Sequence, residues 1–210
     1  IADVIMTGEA ANSSFGYSVS DAGDVNGDGF ADVFVGAYGY SSSRGRAYLY
    51  YGGTGMNNTV DIYMTGEESL NYFGYSVSGG GDVNGDGFAD MIAGAYGYNS
   101  NTGRAYVFTN TFTGEDIPDI TISGNTGSYL GWSVASAGDV NQDGYDDVII
   151  AAPYSNPGKV FIYYGGVLMD NTADVTMTGE SAGDEYGRWA YPAGDVNGDG
   201  YDDVIVGARL

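Results

Sequence analysis

A ten-residue string, Gly23-Asp24-Val25-Asn26-Gly27-Asp28-Gly29-Phe30-Ala31-Asp32, returns three times along the chain with little change. Its Asp24 is matched by Asp82, Asp139 and Asp195, at intervals of 58, 57 and 56 residues, and Gln142 replaces the second glycine of the third copy. The 210 residues therefore hold about three and a half units of one period. Such a period exceeds most solenoid repeats and suits a four-stranded blade.

Each unit reads as strands. Tyr17-Ser-Val-Ser20 leads into the acidic string and Val33-Phe-Val-Gly-Ala37 leaves it, with glycine and asparagine too dense for a helix of ten or more residues. A third strand, Gly45 to Gly53, alternates between bounding glycines and returns as Gly103 to Asn110 and Gly158 to Gly166. A fourth, Asp61 to Gly66, is matched by Asp3 to Gly8, Asp119 to Gly124 and Asp174 to Gly179. The fold class that follows is all-β, a β-propeller of four-stranded antiparallel blades. Residues 1–210 form one propeller domain or propeller segment, with units at about 3–60, 61–118, 119–173 and 174–210, the last incomplete. Asp3 to Gly8 is expected to pair as a fourth strand completing the last blade and hiding its edge. The third strand of that blade would come from chain beyond Leu210 or from a neighbouring chain, or the blade stays incomplete.

The acidic loops carry oxygen side chains at alternate positions. Asp24, Asn26, Asp28 and Asp32 stand at positions 1, 3, 5 and 9, with the Phe30 carbonyl at position 7. The other sets are Asp82, Asn84, Asp86 and Asp90 with the Phe88 carbonyl; Asp139, Asn141, Asp143 and Asp147 with that of Tyr145; and Asp195, Asn197, Asp199 and Asp203 with that of Tyr201. Calcium takes six to eight hard oxygen ligands, and a glycine at position 6 permits the sharp turn. Position 12 is Val35, Ala93, Ile150 or Val206 where an EF-hand needs glutamate, so the ninth residue closes the loop instead. Asx turns alone could stabilise such hairpins. Three carboxylates on one short loop repel, however, and four copies in register favour about four calcium ions, one per loop. Magnesium, which dehydrates reluctantly, fits less well.

Composition narrows the function classes. Six basic residues against 28 acidic ones give a net charge of −22, which favours cations and repels nucleic acid and anionic membranes. Of those 28 acids, 12 hold loop positions 1, 5 and 9, so the charge is clustered rather than scattered. The chain has no Cys and no His, which removes disulfides, thiolate chemistry and imidazole-based triads. It has no apolar run long enough to span a membrane, and its first residues do not read as a charged-then-apolar leader, which would already have been removed from a processed chain. A glycosidase would need acids outside the loops, such as Glu67, Glu68, Asp184 or Glu185, so no enzyme is expected.

Phe15-Gly16, the acidic loop and Gly36-Ala37-Tyr38 together resemble the FG-GAP repeat of the integrin alpha-subunit N-terminal propeller and its bacterial and archaeal relatives. The later units repeat the pattern with Phe73-Gly74 and Gly94-Ala95-Tyr96, Leu130-Gly131 and Ala151-Ala152-Pro153, and Tyr186-Gly187 and Gly207-Ala208-Arg209. The resemblance covers the whole chain. It implies a propeller with calcium between the first two strands of a blade, an extracellular or cell-surface setting, and non-enzymatic adhesion or recognition of a protein or glycan ligand. Family propellers usually have seven blades, more than this chain supplies. A lectin-like propeller and a structural subunit joined into an oligomer or fibre by strand complementation are the alternatives.

A few residues stand apart from the loops. Tyr17, Tyr75 and Trp132 share one repeat position and are read as packing between blades rather than as a sugar platform. The fourth unit breaks symmetry with Gly187-Arg-Trp-Ala-Tyr-Pro192, which makes Arg188 and Trp189 candidate ligand-binding residues, although terminal repeats are often atypical. Arg44, Arg46, Arg104 and Lys159 beside the third strands are expected to bridge to carboxylates or guard an edge. Asn12 and Asn57 open short glycosylation patterns.

Overall fold

The computed structural model describes residues 4–109 and 117–209. The first unit folds as β1 (Ser18–Gly23), β2 (Asp32–Ala37), β3 (Arg46–Tyr50) and β4 (Ile62–Thr65), an antiparallel sheet in chain order. The second repeats it as β5 (Ser76–Gly81), β6 (Asp90–Ala95), β7 (Arg104–Phe108) and β8 (Ile120–Ser123). The third comprises β9 (Ser133–Gly138), β10 (Asp147–Ala152), β11 (Lys159–Tyr163) and β12 (Val175–Thr178). In the fourth, β13 (Trp189–Gly194) pairs with β14 (Asp203–Gly207) alone. Helix is confined, among the described residues, to two four-residue turns, Tyr40–Ser43 and Tyr98–Asn101, which contain left-handed residues. No helix there is long and apolar enough to cross a membrane.

The innermost strands β1, β5, β9 and β13 lie side by side in that order. The apolar residues of each sheet pack onto the next: Phe34 and Leu49 of the first meet Val77, Met91 and Ala93 of the second in one buried cluster. Two further clusters join the second sheet to the third and the third to the fourth. Serine hydroxyls clip the same seams, with Val77 N–H donating to Ser18 Oγ and Val134 N–H to Ser76 Oγ, each at 3.1 Å.

The paired glycine motifs have a steric reason. A side chain on Gly36 would overlap the Gly74 carbonyl, and one on Gly94 would overlap the Gly131 carbonyl. Strand two of one blade thus runs against the Phe-Gly or Leu-Gly turn of the next at backbone distance, which only glycine allows.

One expectation fails. Residues 4–8 form no strand, and Asp3 lies outside the described residues. Met6 packs beside Val35 and Tyr48 of the first sheet instead of joining the fourth. A fourth strand pairs with a third, as β4 does with β3, and the last sheet offers no described third strand as partner. Asn110, the end of the second third-strand run, also lies outside the described residues.

Candidate metal centres and the face opposite them

Each acidic loop joins the first two strands of its sheet and folds onto its own backbone. In the first loop, Gly27 and Asp28 N–H donate to Asp24 Oδ1 at 2.8 and 3.1 Å, and Gly29 N–H donates to Asp24 Oδ2 at 2.8 Å. Asp28 N–H donates to Asn26 Oδ1 at 2.8 Å and Phe30 N–H to Asp28 Oδ1 at 3.0 Å. Asp32 closes the loop, accepting from Val25 N–H at 2.9 Å and Gly52 N–H at 2.7 Å. The Val25 bond recurs on Asp90 from Val83, on Asp147 from Val140 and on Asp203 from Val196. Gly27 has a φ of 76° and lies under the Phe88 ring of the next blade. In the third loop Gln142 takes that left-handed position at 59° and its amide donates to the Gly200 carbonyl.

The electrostatics of the loops are those of crowded anions. Asp32, Asp90 and Asp147 are buried. Burial pushes the Asp90 carboxyl up to about 7, with the Asp86 and Asp82 carboxylates adding to the rise. Burial likewise pushes Asp147 to about 6, helped by Asp143 and Asp139, and raises Asp32. Asp195 behaves oppositely, its carboxyl held below the usual range first by the Gly200 N–H. Among the described residues no three acidic side chains converge on a point that could hold a metal ion. The carboxylates take backbone N–H partners, an arrangement that keeps like charges apart on a short loop. The donor chemistry nonetheless fits a hard cation: oxygen side chains at alternate positions, and buried carboxylates whose charge has no basic partner in the loop.

The opposite ends of the same strands carry a different surface. The loops follow the last residues of β1, β5, β9 and β13, whereas Tyr17, Tyr75, Trp132 and Arg188 precede their first residues. At about 3.3 Å per residue, a six-residue strand separates the two faces by roughly 20 Å. Tyr17 meets Tyr75 with ring centroids 5.0 Å apart, and Tyr75 meets Trp132 at 4.9 Å, so these residues do pack between blades. Tyr38, Tyr96 and Tyr154 extend the band. Arg188 sits over Trp132 and Trp189, 5.2 and 5.4 Å from their centroids, and donates to Glu185 at 2.6 Å and to the Tyr154 hydroxyl at 3.0 Å.

Three of the four acids named outside the loops, Glu67, Asp184 and Glu185, are tied to structure. Glu67 accepts from Arg104 and from the Tyr106 hydroxyl, each at 2.7 Å, and Asp184 accepts from Ser181 and Tyr186 N–H. Arg46 pairs with Glu9 at 3.1 Å, as its bridging role requires, while Arg44 donates to the Gly66 carbonyl. Asn12 and Asn57 are exposed. The sequence reading missed Asp146 and Asp202, whose carboxylates accept the N–H of Asp82 and Asp139 in the preceding blade at 2.8 and 3.0 Å. The signal was there: the first two loops read Ala-Asp where the last two read Asp-Asp.

A family profile described as FG-GAP repeat matches residues 15–50, 73–108, 130–163 and 189–210. Integrin alpha-7 of Rattus norvegicus is 36% identical over 155 residues, covering 70% of this chain and 14% of that protein. Integrin alpha-5 of Xenopus laevis is 32% identical over 216 residues, covering 94% and 20%. Integrin alpha-V of Gallus gallus is 31% identical over 217 residues, again 94% and 20%. The chain thus spans a fifth or less of each of these relatives.

Proposed function

Because the chain belongs to the FG-GAP repeat family, we propose that it is a calcium-stabilised propeller that acts in adhesion or recognition, outside the cell or at its surface, without catalysis. The carrying observation is the division of labour between its two ends: four acidic loops of one hydrogen-bonding pattern at one, an aromatic band with a guanidinium at the other. Calcium would be held by the side chains at positions 1, 3, 5 and 9 of each loop and the carbonyl at position 7, Phe30, Phe88, Tyr145 and Tyr201. The ion supplies positive charge that cancels repulsion among the loop carboxylates, and in this reading it is structural. No nucleophile or acid–base pair recurs beside the loops. Recognition then falls to the opposite face, and the integrin relatives support a role in adhesion for the propeller as a whole.

The melting temperature in calcium, magnesium and chelator tests this reading. A site filled at 100 times its Kd adds about 2.7 kcal/mol to the folded state. Calcium is therefore expected to raise the melting point by several degrees and magnesium by less. A melting point indifferent to calcium contradicts the proposal and leaves Asx turns alone.

A further inference from the structure

The first residues of all four innermost strands surround one hollow of about 280 Å³. We propose that this hollow binds a carboxylated sugar, a uronate residue of an acidic glycan. The inference rests on the recognition reading above and names the ligand class of its aromatic end.

Three features carry it. The repeat position filled by Tyr17, Tyr75 and Trp132 in the first three blades is Arg188 in the fourth, so a ring otherwise aromatic contains one cation. No acidic side chain lines the hollow, although the chain as a whole carries −22. The Arg188 guanidinium uses Nη1 for Glu185 and Tyr154, while its buried Nε has no acceptor among the described residues. The Nε edge of a guanidinium is a planar fork that a carboxylate meets with two parallel hydrogen bonds.

The rest of the lining is that of a sugar site. Trp189 and Tyr191 line the hollow with aromatic side chains, a residue type that suits the apolar face of a pyranose. Ser18 and Ser76 each accept a backbone N–H from the next blade, which leaves the hydroxyl proton to donate to a ring oxygen. The volume lies just below the about 300–1,000 Å³ of small-molecule pockets, room for one sugar ring rather than a long stretch of glycan. Trp189 also stands where Ser18, Ser76 and Ser133 stand in the other blades, so the two residues that break the repeat face the same space.

The chain has only two tryptophans, Trp132 and Trp189, and both line the hollow, so their emission reports this site alone. Galacturonate, galactose and acetate are titrated into the calcium-saturated chain and into Arg188→Gln and Arg188→Lys. A saturable change with galacturonate is expected, at least tenfold weaker in both variants and absent with galactose and acetate. No change with galacturonate, an equal response to galactose or acetate, or full binding by Arg188→Gln overturns the proposal. Circular dichroism checks that both variants fold, and Trp189→Phe, which keeps an aromatic face, must retain galacturonate binding by calorimetry. The melting point of the same samples with and without calcium separates the two readings: a failed metal site leaves it unmoved, a failed sugar site leaves the emission unmoved.

Discussion

Asp90 illustrates how one residue serves two states of the loop. Its side chain is almost fully buried, accepts the Val83 N–H at 2.6 Å, and stands near Asp86 and Asp82. With its carboxyl pushed up to about 7 from an ordinary 3.8, the folded metal-free chain holds a proton there that the unfolded chain has released between those values. Asp147, pushed to about 6, behaves alike. Where the folded state binds more protons, stability falls as pH rises. The metal-free chain is therefore predicted to melt higher at pH 5 than at pH 7.5, and calcium, which prefers the ionised carboxylates, should reverse the order. Melting curves at both pH values, in chelator and in calcium, check the sign. At this scale the loop's oxygen side chains, which the structure shows accepting backbone N–H groups, were legible, because alternate oxygens flanked by glycines are a sequence pattern. The burial of the ninth aspartate was not, since it depends on strands from elsewhere in the sheet, as the Gly52 N–H on Asp32 demonstrates.

Among elements, the blade seams decide stability. Glycine motifs that look in sequence like turn punctuation are points where two backbones touch, as Gly94 does beside Gly131. Gly94→Ala forces an added carbon into that contact, and overpacking of this kind costs about 1–3 kcal/mol. At about 2–4 °C per kcal/mol for a chain of this size, the melting point should fall by roughly 2–12 °C. Gly55→Ala, with open space around it, should change it little; scanning calorimetry of the two variants makes the comparison. The strands themselves were readable from alternation and glycine spacing, and β1 to β12 fall where the repeat put them. The segment at residues 4–8 was misread because its pattern matches a fourth strand, while pairing requires a third strand beside it, which no local pattern supplies. The clips from Asp146 and Asp202 escaped notice because they act between repeats, and their one signal, Asp-Asp in place of Ala-Asp, shows only when the loops are compared.

On the scale of the whole molecule, a blade is buried only by the blades on either side of it. Val77 and Val134 are 5% and 2% exposed, whereas Val19, the same repeat position in the first blade, is 63% exposed. At the other end Ile205 is 62% exposed while its counterparts Phe34, Ile92 and Ile149 are fully buried. The sheets are thus built to be covered on both sides, and the ring axis emerges from their repetition rather than from any one unit. The same repetition puts every acidic loop at one end of the strands and every aromatic position at the other, so the twelve acidic residues at the loops' candidate ligand positions lie away from the surface proposed for recognition. The functional reading of that polarity depends on the loops being metal sites, and calcium stoichiometry tests it most directly. Isothermal titration of the chelator-treated chain should give about four calcium ions per chain, and flat heats with no saturable uptake would contradict the account.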